Sequence, residues 1–152
     1  MTTLRIGLAQ TPQSDNLKQN ESTIREYLDR AVDAGVQILC FPEVQTAGYC
    51  VDITAADAPV QIDELQAIHA SVAEYCGKHS MACILGTEIP LESDPCGGKP
   101  YNSALVISEV GQVLGVHHKS RLTPLDAVVY SSAPKDNPQV FELFGVAVGV
   151  TI

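Results

Sequence analysis

Basic residues are scarce in this 152-residue chain: nine lysines and arginines stand against 18 acidic residues, giving a formal net charge of −9. A nucleic-acid surface needs clustered Lys and Arg to displace counterions. The densest basic stretch, His117-His118-Lys119 with Arg121, is too short to follow a phosphate backbone. The acidic excess serves solubility instead. Long apolar runs are also missing. The longest, Leu143 to Ile152, falls well short of the ~20 residues that span a bilayer, and two glycines interrupt it. Arg5 and Gln10 break the first apolar stretch, so no signal segment is read there. A soluble cytoplasmic protein without membrane or nucleic-acid partners is expected. Paired cysteine spacing is absent too. Cys40, Cys50, Cys76, Cys83 and Cys96 form no Cys-x-x-Cys, so free thiols are expected and a zinc site lacks support. Nor does a glycine-rich phosphate loop follow the first apolar stretch, which runs into Gln10-Thr11-Pro12. That weighs against a nucleotide-binding α/β domain.

What is present is ordinary globular composition, 45% hydrophobic and 18% charged, at a length that suits one domain. Leu4 to Ala9 reads as a buried strand. Ser14-Asp15-Asn16 offers helix caps, and Leu17, Ile24, Leu28, Ala31 and Val32 recur at helical spacing over about 17–34. Val36 to Phe41 is too short for a helix and is closed by Pro42. A loop over 44–59, a helix over about 61–78 and a strand over 82–86 follow. Residues 103–107 and 113–116 read as a strand pair, and 123–138 as an irregular loop with three prolines. Val140 to Phe144 and Val146 to Ile152 are strands; the second is apolar on both faces and reads as interrupted mid-strand. The alternation indicates an α/β layered fold.

Ligands of open α/β sheets bind at the C-terminal ends of strands. Glu43 directly follows one such strand, where a carboxylate faces a crevice and suits general-base work. Lys119 stands at the end of another, where an ammonium can stabilise an oxyanion. Taken singly, each residue reads more readily as a solvated strand-end charge, since most such charges are only solvated. Their neighbours add information. Ala9-Gln10, Phe41-Pro42-Glu43, Gly48-Tyr49, Tyr101-Asn102-Ser103-Ala104 and Lys119-Ser120-Arg121-Leu122 occur in that order.

In this ordered set the chain resembles the nitrilase superfamily of carbon–nitrogen hydrolases, across essentially all 152 residues. The resemblance implies an α-β-β-α sandwich of which this chain is the first half, the N-terminal part of a single carbon–nitrogen hydrolase domain. It implies that Glu43 is the general base and that Lys119 stabilises the tetrahedral intermediate. It implies a cysteine nucleophile directly after Ile152, at the end of the run Gly145 to Ile152. The reaction expected is hydrolysis of a small amide, N-carbamoyl compound or nitrile through a thioester, amidase-type before true nitrilase, with no metal or organic cofactor. Residues 1–152 alone are expected to be inactive. Asp126 stands in the loop where many members carry a second glutamate, one methylene longer, and Tyr49 lies on the pocket rim; both are expected to meet substrate. His118 stands where an aromatic or basic residue is common. Of the five cysteines only Cys50 is expected to line the pocket. A homodimer or larger homo-oligomer is implied by resemblance alone. The alternative is a non-catalytic binding protein, or an inactive fragment, of the same fold.

Overall fold

The computed structural model describes residues 3–49, 61–91, 98–133 and 139–152. Elements follow the order β1 (Ile6–Leu8), α1 (Leu17–Asp33), β2 (Ile38–Cys40), α2 (Ile62–His79), β3 (Ala82–Ile89), β4 (Tyr101–Ile107), β5 (Val113–His118), α3 (Asp126–Val129), β6 (Val140–Leu143) and β7 (Val146–Gly149). The first five strands form one sheet in chain order; β1, β2 and β3 run parallel, whereas β4 and β5 are antiparallel to their neighbours. The parallel connections need crossovers, which α1 and α2 supply.

Helix α1 forms because its apolar residues recur on one stripe and Asn16 caps it, accepting from Gln19 N at 3.1 Å. Its stripe, Ile24, Leu28 and Ala31, meets Ile68, Val72, Tyr75 and Cys76 of α2 over one face of the sheet. Strand alternation then sorts the residues. Leu39, Cys83, Leu85, Leu105 and Ile107 face the helices, whereas Ile38, Ala82 and Val106 face the opposite way, towards Phe141 and Leu143 of the β6–β7 hairpin. Helices, a five-stranded sheet and a second sheet therefore form three successive layers. These are three of the four layers expected of an α-β-β-α sandwich.

Four expectations change. β1 is an edge strand, with Ile6 58% and Leu8 79% exposed, because only β2 pairs with it among the described residues. β3 and β4 are longer than their apolar runs, extending to Ile89 and back to Tyr101, because their register continues through the polar pairs Thr87–Ser103 and Glu88–Asn102. A short helix, α3, interrupts the stretch read as irregular. The last strand ends at Gly149 and is largely exposed, since only β6 pairs with it among the described residues. Hydrophobicity on both faces had suggested a buried strand.

Candidate active site

Glu43 is held by a turn that follows β2. Phe41 N donates to Ile84 O at 2.9 Å, keeping the chain on the sheet up to Pro42. The backbone then reverses through Val44, whose φ is 52°. This turn presses on β3 so closely that a Cβ on Gly86 would lie 1.9 Å from Pro42 O. Only glycine fits there. Thr46 N donates to Gly86 O at 3.2 Å. Gln13 spans the turn from outside, donating through Nε2 to Glu43 O at 2.7 Å and accepting from Tyr49 N at 3.1 Å. Glu43 is thus on a loop whose backbone is fixed at both ends.

Lys119 follows β5, and its N–H donates to Asn102 O at 2.8 Å. Its ammonium is 2.6 Å from Glu43 Oε1 and 3.1 Å from Asp126 Oδ2. Asn102 Nδ2 donates to the same Glu43 oxygen at 2.5 Å. Among the described residues both donors to the Glu43 carboxyl meet Oε1. Asp126 is seated by a reciprocal cap: Thr123 N donates to Oδ2 at 2.9 Å, and Asp126 N donates to Thr123 Oγ1 at 3.2 Å. Tyr49 OH donates to Asp126 Oδ1. The four residues singled out in the sequence, Glu43, Tyr49, Lys119 and Asp126, therefore form one hydrogen-bonded cluster.

The charges in this cluster reinforce one another. Burial alone pulls the Lys119 ammonium down, but its hydrogen bonds to Glu43 and Asp126 outweigh that and hold it above the ordinary lysine value. Burial alone pushes Asp126 up, but the Tyr49 hydroxyl, Thr123 and Lys119 together bring its carboxyl down to about 2. The Tyr49 phenol is pushed up to about 12, first by its bond to Asp126. Lys119 is thus a cation at neutral pH, flanked by two carboxylates.

A cavity of about 420 Å³ opens beside Glu43, lined by Cys40, Phe41, Ser103, Ala104 and the segment Gly149 to Ile152. The expectation that only Cys50 among the five cysteines reaches the pocket is corrected: Cys40 lines it, and burial pushes its thiol up, which keeps it protonated. Cys50 and Cys96 lie outside the described residues. Two residues of the cluster have no role assigned from sequence, although Asn102 stands in the Tyr101-Asn102-Ser103-Ala104 motif. Asn102 was legible as a lone amide in an otherwise mostly apolar strand; Gln13 left no signal. His118 does not enter the cluster: its Nδ1 pairs with Ser103 Oγ at 2.7 Å and its ring packs on Tyr101 at 4.5 Å. Among the described residues no group of three or more His, Cys, Asp or Glu side chains is placed to hold a metal ion.

Comparison with known proteins assigns this arrangement to a family. An omega-amidase of the Arabidopsis thaliana chloroplast is 24% identical over 131 residues, covering 83% of this chain and 34% of its own. The chain spans about a third of the length of the curated relatives it matches. NitN amidase from Nesterenkonia sp. AN1 superposes with a TM-score of 0.81 at 22% identity, covering 97% of this chain and 56% of that one. A glutamine-for-glutamate mutant of the same amidase, which carries acrylamide added at its active site cysteine, superposes at 0.80 with 20% identity over 97% of this chain and 56% of its own. The carbon-nitrogen hydrolase family model matches residues 5–152, so the chain belongs to that family.

Proposed function

We propose that the full protein hydrolyses a small non-peptide amide, with Glu43 as general base, Lys119 as oxyanion stabiliser and a cysteine directly following Ile152 as nucleophile. The observation that carries this reading is the bonding of Glu43 to Lys119 at 2.6 Å beside a cavity that Thr151 and Ile152 also line. A residue following Ile152 starts next to the base. In the first step the thiol proton passes to Glu43 and the sulfur attacks the amide carbon. The oxygen of the tetrahedral intermediate takes its charge beside the Lys119 ammonium. Collapse expels the amine, which leaves with the proton from Glu43, and a thioester remains. Glu43 then takes a proton from water, whose oxygen attacks the thioester and releases the acid and the thiol. Asp126 keeps Lys119 charged and aimed, and the Tyr49 hydroxyl holds Asp126 in place for a substrate that passes its ring. N-carbamoyl compounds and nitriles fit the same chemistry and rank below simple amides. Assembly as a homodimer or larger homo-oligomer belongs to the same proposal.

The test uses the full protein. Glu43→Gln and Lys119→Ala are each expected to reduce ammonia release from short linear amides by about 10²-fold or more. Activity within a few-fold of wild type for both would sink the reading. A thiol-alkylating probe followed by peptide mapping is expected to find one fast-reacting cysteine next to Ile152.

A further inference from the structure

Glu88 is an ionisable group on the active-site side of the sheet that the mechanism above leaves unused. Antiparallel pairing sets it directly opposite Asn102. Strand alternation turns it the same way as Ile84 and Gly86, towards Glu43 and away from the helices. Side chains of directly opposed residues have Cβ atoms about 5 Å apart, within reach of a hydrogen bond. Asn102 is fully buried, and its two amide ends differ. Nδ2 donates to Glu43 Oε1 at 2.5 Å, whereas Oδ1 is buried with no partner among the described residues. A buried acceptor of this kind calls for a donor. Tyr130, which caps α3 and is itself buried, bonds to the Glu88 carboxyl. Desolvation pushes that carboxyl up to about 7 against the opposing effect of the Tyr130 hydroxyl.

We propose that Glu88 is a positioning residue for the amide-hydrolysis site: as the neutral acid it accepts from Tyr130 and donates its proton to Asn102 Oδ1, so that Asn102 Nδ2 stays aimed at Glu43. The inference rests on the proposed function for its kinetic meaning only. Without that proton Glu88 can only accept, so it repels Asn102 Oδ1 and draws Nδ2 away from Glu43. The titratable groups that bear on Glu88 are Tyr130 directly and, behind Asn102, Glu43, Lys119 and Asp126. Ionisation of Glu88 is expected to leave substrate affinity alone and to slow turnover, because it acts on the base through Asn102.

In the full protein, Glu88→Leu is expected to lower kcat by about tenfold with KM within about twofold, and to add nothing in an Asn102→Leu background. Glu88→Gln supplies both an acceptor for Tyr130 and a donor for Asn102. It is expected to restore kcat at neutral pH and to keep it above pH about 7, where the wild type declines. Thermal melts check that the variants fold. Infrared difference spectra give a readout without turnover: at pH about 6 ordinary carboxylates are ionised, so a carboxylic-acid C=O band should remain and should vanish in Glu88→Gln. A wild type that hydrolyses no amide strikes the proposed function, and the infrared band still decides the protonation of Glu88. The inference is overturned by absence of that band, by wild-type kcat in Glu88→Leu, or by a Glu88→Gln pH profile that superimposes on the wild type.

Discussion

On the helix side of the five-stranded sheet, Leu39, Leu85, Leu105 and Ile107 meet Ile24, Leu28, Ile68 and Val72 in a continuous apolar layer. On the opposite side, Ile38, Ala82 and Val106 meet Phe141 and Leu143 of a two-stranded hairpin, and the layer gives way to Glu43, Asn102 and Lys119 at the strand ends. The same strands thus present a closed face and an open one. The closed face supplies cohesion: each fully buried Leu or Ile contributes about 1.5–3 kcal/mol. The open face gives up some of that burial to admit a cavity and a set of charges. Where a single side chain belongs is decided by the pleat, so neighbouring residues in one strand serve opposite ends.

Four substitutions break or sharpen this contrast. The largest effect is expected from Lys119→Ala, which removes the cation between two carboxylates. A loss of about 10³-fold in kcat/KM, or about 4 kcal/mol of transition-state stabilisation, should appear in ammonia-release kinetics. Leu28→Ala acts on the closed face; urea denaturation should register a loss of about 3 kcal/mol, with turnover per folded molecule unchanged. Asp126→Asn should cost about 2 kcal/mol, and that cost should depend on pH. The Asp126 carboxyl is held at about 2, below its unfolded value. Its contribution is therefore complete above the unfolded value, near 3.9, and disappears as pH falls through about 2. Paired denaturation curves should differ at pH 6 and converge towards pH 2. The smallest effect belongs to Val110→Ala, in an exposed turn, which should leave the melting midpoint within the shift expected from about 0.5 kcal/mol.

The closed face was the more legible of the two. The stripes of α1 and α2 repeat at helical spacing, and β2 and β3 are apolar runs bounded by turn residues, so periodicity alone finds them. Glu43 and Lys119 were legible as charges at strand ends, and their order among the neighbouring motifs joined them into a pair. What escaped was set by pairing across the chain. The register that carries β4 back to Tyr101, and so brings Asn102 into the ladder, depends on β3. Helix α3 arises from the Thr123–Asp126 cap inside a proline-rich stretch, where a four-residue element has no period to detect. The exposure of β1 and β7 depends on which strands flank them, and hydrophobicity does not encode that.

The change of strand direction between β2 and β4 has a consequence for the order of folding. Glu43 leaves the parallel part of the sheet, whose strands come together only through crossovers around whole helices. Asn102 and Lys119 belong to the β3–β4–β5 meander, whose neighbours in space are neighbours in sequence. Local pairings close quickly and crossovers slowly, because loop closure across a long segment precedes any contact that rewards it. The meander can therefore present its lysine and amide before the carboxylate arrives. The site is completed at the seam where the slow half docks on the fast one, and protection of the Lys119 amide against exchange should precede that of Ala9 during refolding.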